Sequence, residues 1–139
     1  MNISVSEAQT PGRVPVTILK LDGQLDGQNY QELIAKAQEL YSTGARDFLL
    51  DLSDLSYISS AGLVALHSMA LLTKGEELPD FEGGWSAYRS MGRTSEAGVQ
   101  KHVKLLNPHP EVRSVLDMVG FSSVFEIFTD QNEAVNSFQ

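Results

Sequence analysis

The chain has 139 residues, 42% apolar and 20% charged, with 18 acidic against 10 basic residues and a formal net charge of −8. That is length enough for one domain with a real core, while the acidic balance and the lack of a Lys/Arg cluster argue against direct nucleic-acid contact and against an anionic membrane surface. Cysteine is absent, which excludes disulfide and thiolate chemistry and permits a reducing compartment.

Residues 2–8 alternate weakly and read as a short first strand, with Pro11-Gly12 as a turn. Val14, Val16 and Ile18 alternate with Thr17 and Lys20, so residues 14–21 read as a second strand, hairpin-paired with the first. Gly23-Gln24-Leu25-Asp26 then leads to a helix. Tyr30, Leu33, Ile34, Ala37, Leu40 and Tyr41 form one apolar stripe at helical spacing. Asn29 and Glu32 approach a capping-box spacing, Asp26 offers a rival start, and Gly44 suits the far end.

The most informative stretch is 48–72, FLLDLSDLSYISSAGLVALHSMALL. Its apolar run Phe48-Leu49-Leu50, stopped by Asp51, predicts a buried strand. A polar loop carrying Ser53, Asp54, Ser56, Ser59 and Ser60 is expected next. Then comes a helix so apolar (Leu63, Val64, Leu66, Met69, Ala70, Leu71, Leu72) that it must be largely buried.

Residues 75–100 contain five glycines and Pro79, which break any regular period. The segment 75–101 reads as a long insert carrying Phe81, Trp85 and Tyr88. The plain reading is a loop that tucks an aromatic against the body; the functional one is a flap contacting a partner or ligand through those three side chains. Beyond it, Val103–Leu106 predicts a strand, and Asn107-Pro108-His109-Pro110 a turn into a helix with Pro110 in its first position. Val112, Val115, Leu116 and Val119 make its apolar face, and Gly120 ends it. Residues 124–128 predict the last strand. Asp130 with Glu133 opens a final helix that buries Ala134, Val135 and Phe138. Strands alternating with helices imply an α/β fold with a largely parallel sheet, made mixed by the first hairpin.

Catalytic chemistry finds little support. Residues 58–62 lack the leading Gly of a nucleophile elbow, and His67 lies two helical turns beyond the serines. His67, His102 and His109 have no metal-ligand spacing and read as surface or half-buried histidines. Asp51 at a strand end invites comparison with a phospho-accepting receiver aspartate, but the acidic pair and late-strand Lys of such a site are missing. No Gly-rich phosphate loop is present. Ser59 and Ser60 remain. Each suits a helix N-cap, and a helix N-terminus also tolerates a phosphate. A phosphoserine there, on a face expected to hold Asp26, Asp51 and Asp54, would act by altering binding.

Residues 51–63, DLSDLSYISSAGL, resemble the signature of STAS domains, the family of bacterial anti-sigma factor antagonists. Gly23-Gln24-Leu25-Asp26 is similar to the family's G-x-L-D, and 103–121 to its N-P-x-P helix and closing turn. The resemblance implies a single STAS domain over 1–139, a small mixed sheet of about five strands packed against four helices, with the insert between the second helix and the fourth strand. It implies a cytoplasmic, non-enzymatic regulator without cofactor or metal and with no membrane insertion. Such a protein binds a serine kinase-type anti-sigma factor until the kinase phosphorylates it, and a phosphoserine phosphatase is a further partner. The acceptor maps onto Ser60, with Ser59 in reserve where family members carry Asp. Asp26, Asp51, Asp54, Ser59, Ser60 and Gly62 form the implied partner-binding set. The alternative is a STAS module of another assembly: a lipid-transport complex, a stressosome-like scaffold or a small-ligand sensor.

Overall fold

The computed structural model describes residues 1–74 and 100–138. In chain order these form β1 (Asn2–Gln9), β2 (Pro15–Leu25), α1 (Tyr30–Ser42), β3 (Phe48–Ile58), α2 (Ser60–Thr73), β4 (Val103–Leu106), α3 (Pro110–Met118), a single 3-10 turn (Phe121–Ser123), β5 (Ile127–Phe128) and α4 (Gln131–Asn136). The connection from α2 to β4 holds the segment read as an insert. All but its last two residues, and with them Phe81, Trp85 and Tyr88, lie outside the described residues.

The five strands lie in the order β1-β2-β3-β4-β5. β1 and β2 are antiparallel, and β2 through β5 run parallel. Successive right-handed crossovers that step in one direction place their helices on one face of a sheet. Accordingly α1, α2 and α3 share the main core with Leu19, Leu21, Phe48, Leu50 and Leu105. α4 follows the last strand, so no crossover constrains it. It covers the other face, packing Ala134, Val135 and Phe138 on Val16, Ile18, Leu49 and Leu106. Buried Lys104 ties α4 down: Nζ donates to the Ser137 carbonyl and hydroxyl, each at 3.0 Å, lies 3.3 Å from Glu126 and sits 4.7 Å from the Phe138 ring centre. No described helix is long and apolar enough to cross a membrane.

Several local expectations are corrected. Asp51 does not stop its strand. β3 continues through the stretch expected as a polar loop, as far as Ile58, and β2 likewise runs on through Gly23-Gln24 to Leu25. The reason lies in the pairing register. Lys20 pairs with Asp51 but Asp22 with Asp54, and Gly23 pairs with Leu55 but Gln24 with Tyr57. β3 therefore carries an extra residue twice. Each bulge resets the two-residue alternation, so Phe48, Leu50, Leu52, Leu55 and Ile58 all enter the main core although their spacing is not strand-like. At the last strand the reverse holds. Phe121–Ser123 form the 3-10 turn, and Val124 and Phe125 pack into the core from non-strand backbone, which leaves only Ile127–Phe128 to pair.

The capping box at α1 is not formed. Asn29 sits at the cap position, but its side chain turns back: Oδ1 accepts from the Asp26 amide at 2.9 Å and Nδ2 donates to the Gln24 carbonyl at 2.7 Å. His67 is fully buried in α2 rather than half-exposed. His102 pairs with Asp47 at 2.7 Å, and His109 meets the Ser53 carbonyl. Val119 is 37% exposed, outside the face that buries Val112 and Leu116. Asp130 caps α4 as expected, accepting from the Asn132 amide at 2.9 Å.

Candidate functional site

The paired ends of two parallel strands build the site. Leu25, the last residue of β2, lies beside Ile58, the last of β3. The Ser59 amide donates to the Leu25 carbonyl at 2.9 Å. That bond joins the two exits, so the turn after β2 and the start of α2 are neighbours.

Ser59 is the N-cap of α2. Its backbone is extended, its carbonyl accepts from the Leu63 amide at 3.1 Å, and its Oγ accepts a long bond from the Gly62 amide at 3.4 Å. Ser60 is the first helical residue and is exposed, whereas Ser59 is half-buried. The first turn of α2 holds no acidic residue, so the positive end of the helix dipole is not offset from within the helix. Its first amides, left without intrahelical acceptors, suit an anionic oxygen. Ser59→Ala is expected to cost about 1 kcal/mol of stability, the usual value of a lost N-cap, read as a lower urea midpoint.

Gly62 is what lets α2 start here. A Cβ on it would lie 2.6 Å from Ile58 Cγ1, 2.9 Å from the Leu25 carbonyl oxygen and 3.0 Å from Leu25 Cγ. Gly62 is buried, so it seats the helix against both strand ends rather than offering a surface to a partner. On the β2 side, Asp26 is half-buried. Its Oδ1 accepts from the Gln28 amide at 2.9 Å and its carbonyl from the Tyr30 amide at 2.9 Å, which fixes the turn that opens α1.

The expected acidic face is only partly assembled. Asp26 is beside the serines; Asp51 and Asp54 are not. Asp51 lies seven positions before Ile58 in β3, and at ~3.3 Å per residue the two are separated by on the order of 20 Å. Asp51 is buried, and its Oδ1 accepts from the Ser53 amide at 3.0 Å and the Ser53 hydroxyl at 2.7 Å. That mid-strand position also removes the comparison with a strand-end phosphoacceptor. Asp54 pairs with Lys20 at 3.1 Å. The hydrogen bond to Asp54, then its charge, raises the Lys20 pKa; both groups are about half exposed, so the pair adds little stability.

Tyr57 was not read from the sequence as part of this site. It is 51% exposed and follows the bulge just before Ser59. Alternation from buried Leu55 would have put it inside, so local pattern carries no signal for its exposure. Two shallow grooves, of about 480 and 450 Å³, lie along β1 and α1 and involve neither serine. Among the described residues no three His, Asp or Glu side chains gather as a metal site would require. The arrangement at Ser59–Ser60 leaves one hydroxyl engaged in the helix cap and the other exposed beside it.

The family model described as "Mlab, STAS domain" matches residues 9–79. The chain belongs to the STAS domain family. It is 27% identical over 119 residues to BtrV of Bordetella bronchiseptica, named as a candidate anti-sigma factor antagonist, with 86% of this chain and 83% of BtrV covered. A candidate anti-sigma factor antagonist from Thermotoga maritima superposes with a TM-score of 0.67 at 17% identity, over 96% of this chain and 93% of that one. Bacillus SpoIIAA, a cell fate determinant solved in its phosphorylated form, superposes with a TM-score of 0.56 at 16% identity, over 99% and 100% of the two chains. The fold is that of anti-sigma factor antagonists.

Proposed function

We propose that this chain, as one STAS domain in the cytoplasm, is an anti-sigma factor antagonist switched by phosphorylation. Unmodified, it binds a serine kinase-type anti-sigma factor through the edge formed by Asp26, Ser59 and Ser60. Phosphorylation of Ser60 ends the contact, and a phosphoserine phosphatase resets it. In the transfer, Ser60 Oγ bonds to the γ-phosphorus of ATP as the bond to ADP breaks, and the hydroxyl proton passes to a base of the kinase. The chain acts as the substrate and not as an enzyme. His67, buried inside α2, cannot serve Ser60 as a base.

One observation carries the choice of acceptor. The cap and the exposed hydroxyl are separate residues: Ser59 Oγ is engaged with the helix, while Ser60 stands exposed at its first position. A phosphate on Ser60 would leave the Ser59 cap intact and meet the positive helix end. The names of BtrV and the Thermotoga protein, and the phosphorylated state of SpoIIAA, support the same reading.

The test supplies ATP and each purified serine kinase-type anti-sigma factor encoded in the same genome, followed by mass-spectrometric site mapping. Phosphate is expected on Ser60, lost in Ser60→Ala and retained in Ser59→Ala. Unmodified protein, or phosphate confined to 75–101, would overturn the proposal. The name "Mlab" on the family model favours a second reading, a STAS module held in another assembly. Copurified lipid or nucleotide that disappears on deletion of 76–99 would select it.

A further inference from the structure

Tyr57 is exposed by construction. Two residues earlier in β3, Leu55 is fully buried, and one residue later Ile58 is buried again. Residues two apart in a regular strand share a face, so Tyr57 would ordinarily join Leu55 in the core. It does not because Ser56 is the extra residue of the second bulge: Gly23 pairs with Leu55, and the next residue, Gln24, pairs with Tyr57. Bulges bend a strand and re-aim its side chains. This one is pinned, since Ser56 Oγ donates to the Gly23 carbonyl at 3.0 Å. Gly23 itself holds φ +114°, a backbone state that glycine adopts without strain.

The outcome is a large aromatic ring turned to solvent two residues before the serine cap. A buried Tyr would have contributed apolar burial to folding; the strand instead breaks its register to display the ring. Exposed Gln24 lies opposite it, and Asp26 and Ser60 follow at the two strand exits. An aromatic centre with a polar rim is the usual composition of a protein-binding patch. Tyrosine is among the few residue types that carry most of the energy at such interfaces, and its ring loses little conformational entropy when held.

We infer that Tyr57 is the anchor by which this edge grips its protein partner, and that the Ser56 bulge is the device that presents it. The inference rests on the function proposed above, and its occupant is the kinase-type anti-sigma factor. That partner would carry an apolar recess for the ring beside its nucleotide site, because Ser60 must face the γ-phosphate while Tyr57 is held. Affinity and switching then reside in different residues. Tyr57 sets how tightly the partner is held, and Ser60 sets whether it can be held at all.

The experiment measures affinity by titration calorimetry and initial phosphorylation rates with the purified kinase-type anti-sigma factor, for the wild type, Tyr57→Ala and Tyr57→Phe. Tyr57→Ala is expected to weaken binding about tenfold or more. Its KM should rise in parallel at unchanged kcat, because the ring does not touch the reacting atoms. Its thermal midpoint should fall by no more than a few degrees, since half of the side chain is exposed. Tyr57→Phe should stay within about threefold of the wild type, as the ring supplies the contact. Wild-type affinity in Tyr57→Ala, or a fall in kcat alone, would overturn the anchor and leave the functional reading standing. A wild type that neither binds nor is phosphorylated would overturn both.

Discussion

Ser60→Asp is expected to lower the affinity for the kinase-type anti-sigma factor about 100-fold while leaving the thermal midpoint at or slightly above that of the wild type. The two effects have opposite signs because they arise on opposite sides of the same residue. Toward the protein, a carboxylate at the first position of α2 meets a helix end whose first turn holds no acidic residue. Charge of that sign at a helix N-terminus stabilises by about 0.3–1 kcal/mol. Toward the partner, a negative charge brought against like charge costs several kcal/mol. About 3 kcal/mol corresponds to a factor of ~100 in affinity. Calorimetry of binding and of unfolding on the one variant separates these terms. An unchanged affinity would refute repulsion as the switch, and a fall in both quantities would show that the variant had lost its fold.

Gly62→Ala is expected to destabilise the protein by about 1–2 kcal/mol, although Ala is the better helix former. The propensity gain is about 1 kcal/mol. Against it stands a Cβ placed 2.6 Å from Ile58 Cγ1 and 2.9 Å from the Leu25 carbonyl oxygen. Overpacking costs about 1–3 kcal/mol, and a contact this short with a backbone oxygen lies at the upper end, about 2–3 kcal/mol. The Ile58 methylene could swing aside, but the carbonyl belongs to a β2 residue whose oxygen also accepts the Ser59 amide. Relief therefore requires α2 to move, and Ser59 and Ser60 move with it. The urea midpoint should fall, and the rate of Ser60 phosphorylation should fall with it. A Gly62→Ala protein as stable as the wild type would show that α2 does not depend on this close approach.

What the chain's local pattern determined is the order of elements and most of their faces. The α1 stripe at Leu33, Ile34 and Ala37 is buried as its period implies. The continuous apolar run of α2 is buried nearly all round, from Gly62 to Ala70. Pro110 and Asp130 start their helices where their chemistry allows. These features depend on residues a few positions apart, and propensity, capping and periodicity act over that range. The DLSDLSYISSAGL motif likewise led to the family and to the serine pair.

Only the tertiary structure decided what surrounds that pair. Two bulges in β3 exist because of its pairing with β2; nothing within β3 alone marks them. They carry Leu55 and Ile58 into the core, while the pairing with β2, continued as far as Ile58, keeps Asp51 and Asp54 within the strand and away from Ser60. They also turn Tyr57 outward. The role of Gly62 is equally non-local, since the atoms it must clear belong to Leu25 and Ile58. His67 reads as a surface or half-buried histidine, yet the fold buries it completely. Sequence adjacency determined that two serines open α2. Strand pairing determined that Ser59, with its amide on the Leu25 carbonyl, lies beside the turn at Asp26 and that Tyr57 is turned outward, because contacts between residues distant in the chain set the register on which all three depend.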